Sequence, residues 1–220
     1  MRSRINHYKT TRLKAFTKIA LLLLTGPMMV MAQPRQHISL DEGWKFHFGD
    51  AADPAKDFNF RTASIFVKSG KAEGTAIAPN YDDKSWRTLS VPHDWAVELP
   101  FVYAPDTNVM EHGYKPVGGH YPATSIGWYR KHFMVSQKDS GQRIVISFDG
   151  IYRDSKVWIN GFYLCNNASG YSGFSCDVTD YVRYGRENVL VVRVDATQYE
   201  GWYYEGAGIY RHVWLDQYDP

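Results

Sequence analysis

Cysteine is scarce here, two residues in a chain of 220. That is too few for a disulfide-stapled miniprotein, and no His/Cys spacing suggests a zinc site or any other metal centre. Sustained helical periodicity is missing too. The weak exception is residues 60–67, where Ala63, Ser64 and Ile65 suit one or two turns. No apolar run is long enough to span a bilayer, because residues 19–24 are followed at once by Thr25, Gly26 and Pro27. Past residue 32 there is no long Lys/Arg run, which leaves nucleic acid without an electrostatic footprint to bind. Internal repeats and low-complexity tracts are also absent, and nothing in the chain calls for a cofactor.

The N-terminus has the order of an export signal. Arg2, Arg4, Lys9, Arg12, Lys14 and Lys18 precede the apolar run, and Val30-x-Ala32 supplies small-residue spacing for signal peptidase. The expectation is a signal peptide over residues 1–32, cleavage after Ala32, and a periplasmic or secreted product with no membrane attachment thereafter; an uncleaved anchor is the alternative. Cleavage removes six of 25 Lys/Arg and none of 23 Asp/Glu, leaving 19 against 23, a net charge of −4 in place of +2. The remaining residues 33–220 suit one all-β domain.

What the mature chain does contain is alternation between turn signals. Phe46-x-Phe48, Ile144-x-Ile146-x-Phe148 and Leu190-x-Val192-x-Val194 read as half-buried strands, as does Trp128-x-Arg130 through Phe133 with a slip. Asn160-Gly161 between Val157-Trp158-Ile159 and Phe162-Tyr163-Leu164 predicts a type I′ hairpin, both central residues at positive φ. Many short antiparallel strands with long connections point to a jelly-roll β-sandwich.

The segment Gly201-Trp202-Tyr203-Tyr204-Glu205-Gly206-Ala207-Gly208-Ile209-Tyr210-Arg211-His212-Val213-Trp214-Leu215 is the most informative. Three aromatic rings before a glycine bend suit a wall for a flat, hydroxyl-bearing ligand such as a sugar. A core aromatic cluster beside a β-bulge explains the same residues.

This segment resembles the closing signature of the N-terminal sugar-binding domain of glycoside hydrolase family 2. Gly43-Trp44-Lys45-Phe46 looks like that family's opening strand and Val91-Pro92-His93-Asp94-Trp95 like its corner. Gly127-Trp128-Tyr129-Arg130-Lys131-His132-Phe133 is similar to its central strand. Phe148-Asp149-Gly150, Val157-Trp158-Ile159-Asn160-Gly161 and Gly170-Tyr171 follow in the family's order. The likeness covers about residues 38–215 and is nearest to β-galactosidases of Bacteroides-like bacteria; residues 53–80 read as an insertion. It implies a galactose-binding-domain-like jelly roll, mostly antiparallel. It also implies an immunoglobulin-like domain and a (β/α)₈ barrel as the partners that complete the enzyme, and a β-galactoside-type glycan as ligand.

Retaining glycosidases use two carboxyl groups about 5–5.5 Å apart. In this family both are barrel glutamates, and their motifs have no counterpart here, so no catalytic residue is assigned. Asp82-Asp83 and Asp177/Asp180 read as turn and cap residues. His93-Asp94 lacks the nucleophile of a catalytic dyad. His212 stands where the resemblance places a sugar-contacting residue that is aspartate in several members; a strand histidine bonded to a neighbour is the alternative. Glu205 suits vicinal hydroxyls or a solvated turn, and Trp202 and Tyr203 suit a sugar face or ordinary packing. Arg211 is read as structural, paired with Asp195. Cys165 and Cys176 are either a disulfide or two buried thiols, since the family's fold needs no bridge there.

Three functions suit these residues: the sugar-binding domain of a secreted hydrolase, inert alone; a free-standing carbohydrate-binding module; or an oligomerisation domain. The first expects coding sequence for a barrel to continue beyond Pro220, and the second expects an exposed aromatic platform.

Overall fold

The computed structural model describes residues 35–60, 73–103, 120–122, 126–197 and 206–220. Among them the alternating segments form strands β1 (Gln36–Ser39), β2 (Trp44–Phe48), β3 (Arg87–Leu89), β4 (Phe101–Tyr103), β5 (His120–Pro122) and β6 (Ile126–Met134). The second half supplies β7 (Arg143–Phe148), β8 (Ser155–Ile159), β9 (Phe162–Asn167), β10 (Phe174–Asp177), β11 (Glu187–Asp195) and β12 (Val213–Tyr218). A four-stranded sheet runs β1-β12-β7-β10 and a six-stranded sheet β3-β2-β6-β11-β8-β9, with β4 and β5 a separate pair. Every ladder between these strands is antiparallel. The two larger sheets form a jelly-roll sandwich, as the alternation predicted.

Between the sheets lie the residues that the period of two sends inward: Trp44 and Phe46, Ile144, Ile146 and Phe148, Val157 and Ile159, Leu190, Val192 and Val194. Burying each such side chain contributes about 1.5–3 kcal/mol, which is what holds the register. The Asn160-Gly161 hairpin forms as expected, with φ of 52° and 88°. It is fastened further by Asn160, whose amide donates to Tyr181 O and Asn188 Oδ1, both at 2.8 Å, and accepts from Val189 N at 3.1 Å.

One expectation changes. β6 and β11 are buried on both faces, because a second apolar cluster covers the outside of the six-stranded sheet. Ala76, Ile77 and Trp86, with Phe58 and Phe60 beside them, pack there against Trp128, Trp158, Val189 and Val191. Two arginines that alternation would send to water, Arg130 and Arg193, are thereby enclosed. The Arg193 guanidinium donates to Asp57 Oδ2 at 2.8 Å and lies 4.5 Å from the Phe60 ring centroid. Trp128 Nε1 also donates to Asp57, at 2.7 Å. Arg130 donates to Asp83 Oδ2 at 2.7 Å and to the carbonyls of Ala76 and Ala78. Residues 53–60 and 73–86 thus act as an outer layer clasped by two buried ion pairs. Asp83 opens a turn, its carbonyl accepting from Trp86 N at 3.0 Å, and its carboxylate is also the partner of Arg130; Asp82 and Asp177 accept local amides as turn residues, from Lys84 and Thr179.

Cys165 and Cys176 form a disulfide. β9 belongs to one large sheet and β10 to the other, so the bridge ties the sheets together along one edge. The helical turns expected around Ala63, Ser64 and Ile65 lie outside the described residues.

Candidate functional site

The corner that follows β3 organises the region after the aromatic segment. Val91–Pro92 is a cis peptide, and the chain then enters a 3₁₀ turn whose N-cap is Asp94. Oδ1 of Asp94 accepts from Ala96 N at 2.9 Å and from Ala207 N at 2.8 Å. Backbone bonds run parallel to it: His93 N donates to Ile209 O at 2.7 Å and Trp95 N to Ala207 O at 2.9 Å. Gly208, at φ 115°, lies against the Tyr129 hydroxyl and the His93 carbonyl, where any Cβ would collide. The glycine bend is therefore a requirement of close approach.

Beneath the corner runs a polar chain whose proton positions follow from its end groups. The Arg87 guanidinium holds Glu98 below the usual carboxylate range, with His93 adding to the effect. An ionised Glu98 only accepts, so His93 Nε2, at 3.2 Å from it, carries the proton. Nδ1 of the neutral ring then accepts from the Tyr129 hydroxyl at 2.7 Å, and that oxygen accepts from Ile209 N at 3.4 Å. Burial pushes His93 below its ordinary pKa, with Glu98 opposing, and pushes the Tyr129 hydroxyl well up.

On the outer side of the corner is a concavity of about 290 Å³ whose described lining is Pro92, His93, Asp94 and Tyr210. Tyr210 is fixed there by its hydroxyl, which donates to Gly170 O at 2.8 Å. Rings around a space of this size suit one small amphipathic ligand. Among the described residues the lining offers a single carboxyl group, Asp94, and its Oδ1 is already engaged by two amides. This arrangement can bind, and among the described residues its lining holds no second carboxyl group of the kind glycoside hydrolysis uses. Among the described residues no group of three or more His, Cys, Asp or Glu is placed to hold a metal ion.

Of the predicted sugar-site residues, Trp202, Tyr203 and Glu205 lie outside the described residues. His212 is described and its side chain is 53% exposed. Its Nδ1 is 2.8 Å from Asp41 Oδ2, its ring leans on Trp214 at 5.6 Å, and its carbonyl accepts from Asp149 N at 3.0 Å. Trp214 in turn donates from Nε1 to Asp149 Oδ2 at 2.9 Å and stacks on His37 at 4.1 Å. His212 is not in the described lining of the concavity.

The proposed Arg211–Asp195 pair is wrong. Asp195 is taken by Arg193, two residues back on the same strand face, at 2.9 Å, and by the Thr197 hydroxyl at 2.6 Å. Regular strand begins only at Val213, so alternation does not reach Arg211. Its guanidinium lies over the Tyr210 ring at 5.2 Å instead. Asp41 and the concavity-lining Pro92 and Tyr210 were missed. Asp41 looks like any acid before a glycine turn, and its partners are 171 and 172 residues away.

The sequence profile "Glycosyl hydrolases family 2, sugar binding domain" matches residues 38–218. A β-galactosidase of Bacteroides ovatus is 37% identical over 191 residues, covering 86% of this chain and 19% of that enzyme. A β-glucuronidase of Formosa agariphila is 30% identical over 176 residues, 74% of this chain and 17% of that enzyme. Among solved structures, a family 2 member from Bacteroides cellulosilyticus superposes with a TM-score of 0.63 at 35% identity, covering 84% of this chain and 21% of that one. The chain therefore spans about a fifth of the length of these relatives.

Proposed function

We propose a function that proceeds from one premise: this chain belongs to glycosyl hydrolase family 2, through that family's sugar-binding domain. On this reading it is the N-terminal domain of an exported enzyme of β-galactosidase type, which hydrolyses O-glycosidic bonds with carboxylates supplied by other domains. The observation that carries it is the continuous family match over residues 38–218. The corner concavity and the exposed His212 support it, since both offer polar and ring surface. The Bacteroides ovatus relative supports β-galactosides as the substrate class.

The test is turnover of aryl β-galactosides by the purified chain and by the enzyme that carries it. Hydrolysis is expected from the enzyme and none from the chain. Turnover by the chain that survives repurification and disappears on mutating a residue of this domain would overturn the reading. Export carries its own check: the mature N-terminus should be Gln33 by mass spectrometry, and an intact Met1 in the soluble exported fraction would defeat it.

A second reading, a free-standing carbohydrate-binding module, draws support from the exposed pair Phe162 and Tyr181, whose rings lie 5.5 Å apart. Glycan binding that Phe162→Ala abolishes and His212→Ala leaves unchanged would favour it.

A further inference from the structure

We propose that Asp41 is a positioning residue, one that holds His212 in the Nδ1–H tautomer and turns Nε2 outward as a hydrogen-bond acceptor for a ligand hydroxyl. The inference rests on the reading that His212 faces a sugar.

Asp41 is fixed from three sides. Asp41 Oδ1 accepts from Val213 N at 2.9 Å and Oδ2 lies 2.8 Å from His212 Nδ1. Its own carbonyl accepts from Val91 N at 2.8 Å, so the residue is anchored from main chain and side chain alike. Burial works to raise its pKa, but the Val213 amide and His212 outweigh it and the carboxyl stays below its ordinary value. Ionised, it has no proton to give, and the 2.8 Å contact requires the proton on Nδ1. A neutral imidazole carries one N–H, so Nε2 is left with its lone pair. Among the described residues nothing bonds Nε2, and the ring is held by Trp214 at 5.6 Å while staying 53% exposed. Two consequences follow for recognition. A hydroxyl can donate to Nε2, and a fluorine or ether oxygen in the same place cannot. The position therefore selects for a donor, as a carboxylate would, but without adding charge.

The experiment uses the full chain with ¹⁵N-labelled histidine. Two-bond NMR correlations read each tautomer, and His212→Ala identifies the resonance. Wild type should show His212 protonated at Nδ1, and Asp41→Asn should shift it toward Nε2–H, because the Asn amide can donate to Nδ1. An Nε2–H ring in wild type, measured without any variant, overturns the proposal. Methyl β-D-galactopyranoside and its monodeoxyfluoro analogues are then titrated. The sugar should move the Nε2 shift, one analogue should bind about fivefold more weakly, the loss of a single hydrogen bond, and Asp41→Asn should erase that difference. Shifts elsewhere in the domain but none at His212 would sink this inference and spare the sugar-binding reading. No shift anywhere would sink both.

Discussion

Asp94 and Ala207 stand 113 residues apart in the chain and meet at 2.8 Å, the Asp94 carboxylate accepting the Ala207 amide. That bond and its backbone companions pin residues 207–209 to the Pro92–Trp95 corner, immediately after the aromatic segment. Asp94→Ala removes the acceptor of a buried amide and the cap of the 3₁₀ turn together, and should cost about 1–3 kcal/mol in a urea titration. Asp94→Asn keeps an oxygen in place and should cost less. A midpoint for Asp94→Ala equal to wild type would show that the backbone bonds hold the segment unaided.

The Asp57–Arg193 pair predicts a larger loss. Both side chains are almost fully buried, at 1% and 3% exposure. Asp57→Ala would leave a guanidinium enclosed with, among the described residues, Asp195 alone to balance it, and should destabilise by about 3–5 kcal/mol. Arg193→Met keeps the volume without the charge, but strands Asp57 and Asp195. Replacing Arg193 and Asp57 together, with Met and Leu, removes the enclosed pair and leaves Asp195 without its guanidinium but still bonded to Thr197 and 20% exposed, so it should cost less than Asp57→Ala alone. Chemical denaturation of the three variants checks the order, and a double variant weaker than the single one would contradict it.

How far the chain could be read depended on the range of the interaction. The hairpin at Asn160 was plain because two adjacent residues at positive φ carry their own signature, and the inward stripe of Leu190, Val192 and Val194 is equally local. The outer layer was not plain, since Arg193 and Asp57 lie 136 residues apart and each alone looks like a solvated charge. A signal existed: Arg193 lies in the valine-rich run of β11 and Arg130 beside Trp128 and Tyr129 in β6, more apolar company than a sheet face open to water usually keeps. Arg211 was misplaced because its pairing with Asp195 was read from the chemistry of the two side chains, whereas regular strand begins only at Val213. His212 was singled out through family likeness, and its partner Asp41 carried no mark in the sequence.

The disulfide closes a separation of 11 residues between strands of opposite sheets. Tethering the unfolded chain over that distance contributes about 2–3 kcal/mol on loop entropy. Cys165→Ser with Cys176→Ser should lower the denaturation midpoint accordingly, and wild type in reductant should match the variant. Identical midpoints for oxidised protein and variant would remove the bridge from the account of stability.

Acid should act in two stages, the first set by His93. Burial lowers its folded pKa, with Glu98 opposing, while the unfolded ring titrates near 6.5. Above both values neither state binds the proton and stability is complete. As pH falls below about 6.5 the unfolded chain takes up a proton that the folded ring refuses, so stability declines until the folded pKa is passed. The second stage lies below about pH 4, the ordinary carboxyl range. Asp41, Asp83 and Asp216, each held down by hydrogen-bonded partners against the effect of burial, then begin to lose theirs. Asp57 runs the other way: burial raises it despite Arg193, so as pH falls toward about 4 the folded state takes up this proton before the unfolded chain does, and that uptake favours the folded state above the interval in which the other three act. His93→Gln, which can keep a donor toward Glu98, should flatten the first stage and leave the second unchanged. Denaturant midpoints from pH 8 to pH 3 give both slopes, and an equal decline between pH 7 and pH 5 in variant and wild type would rule His93 out as the source.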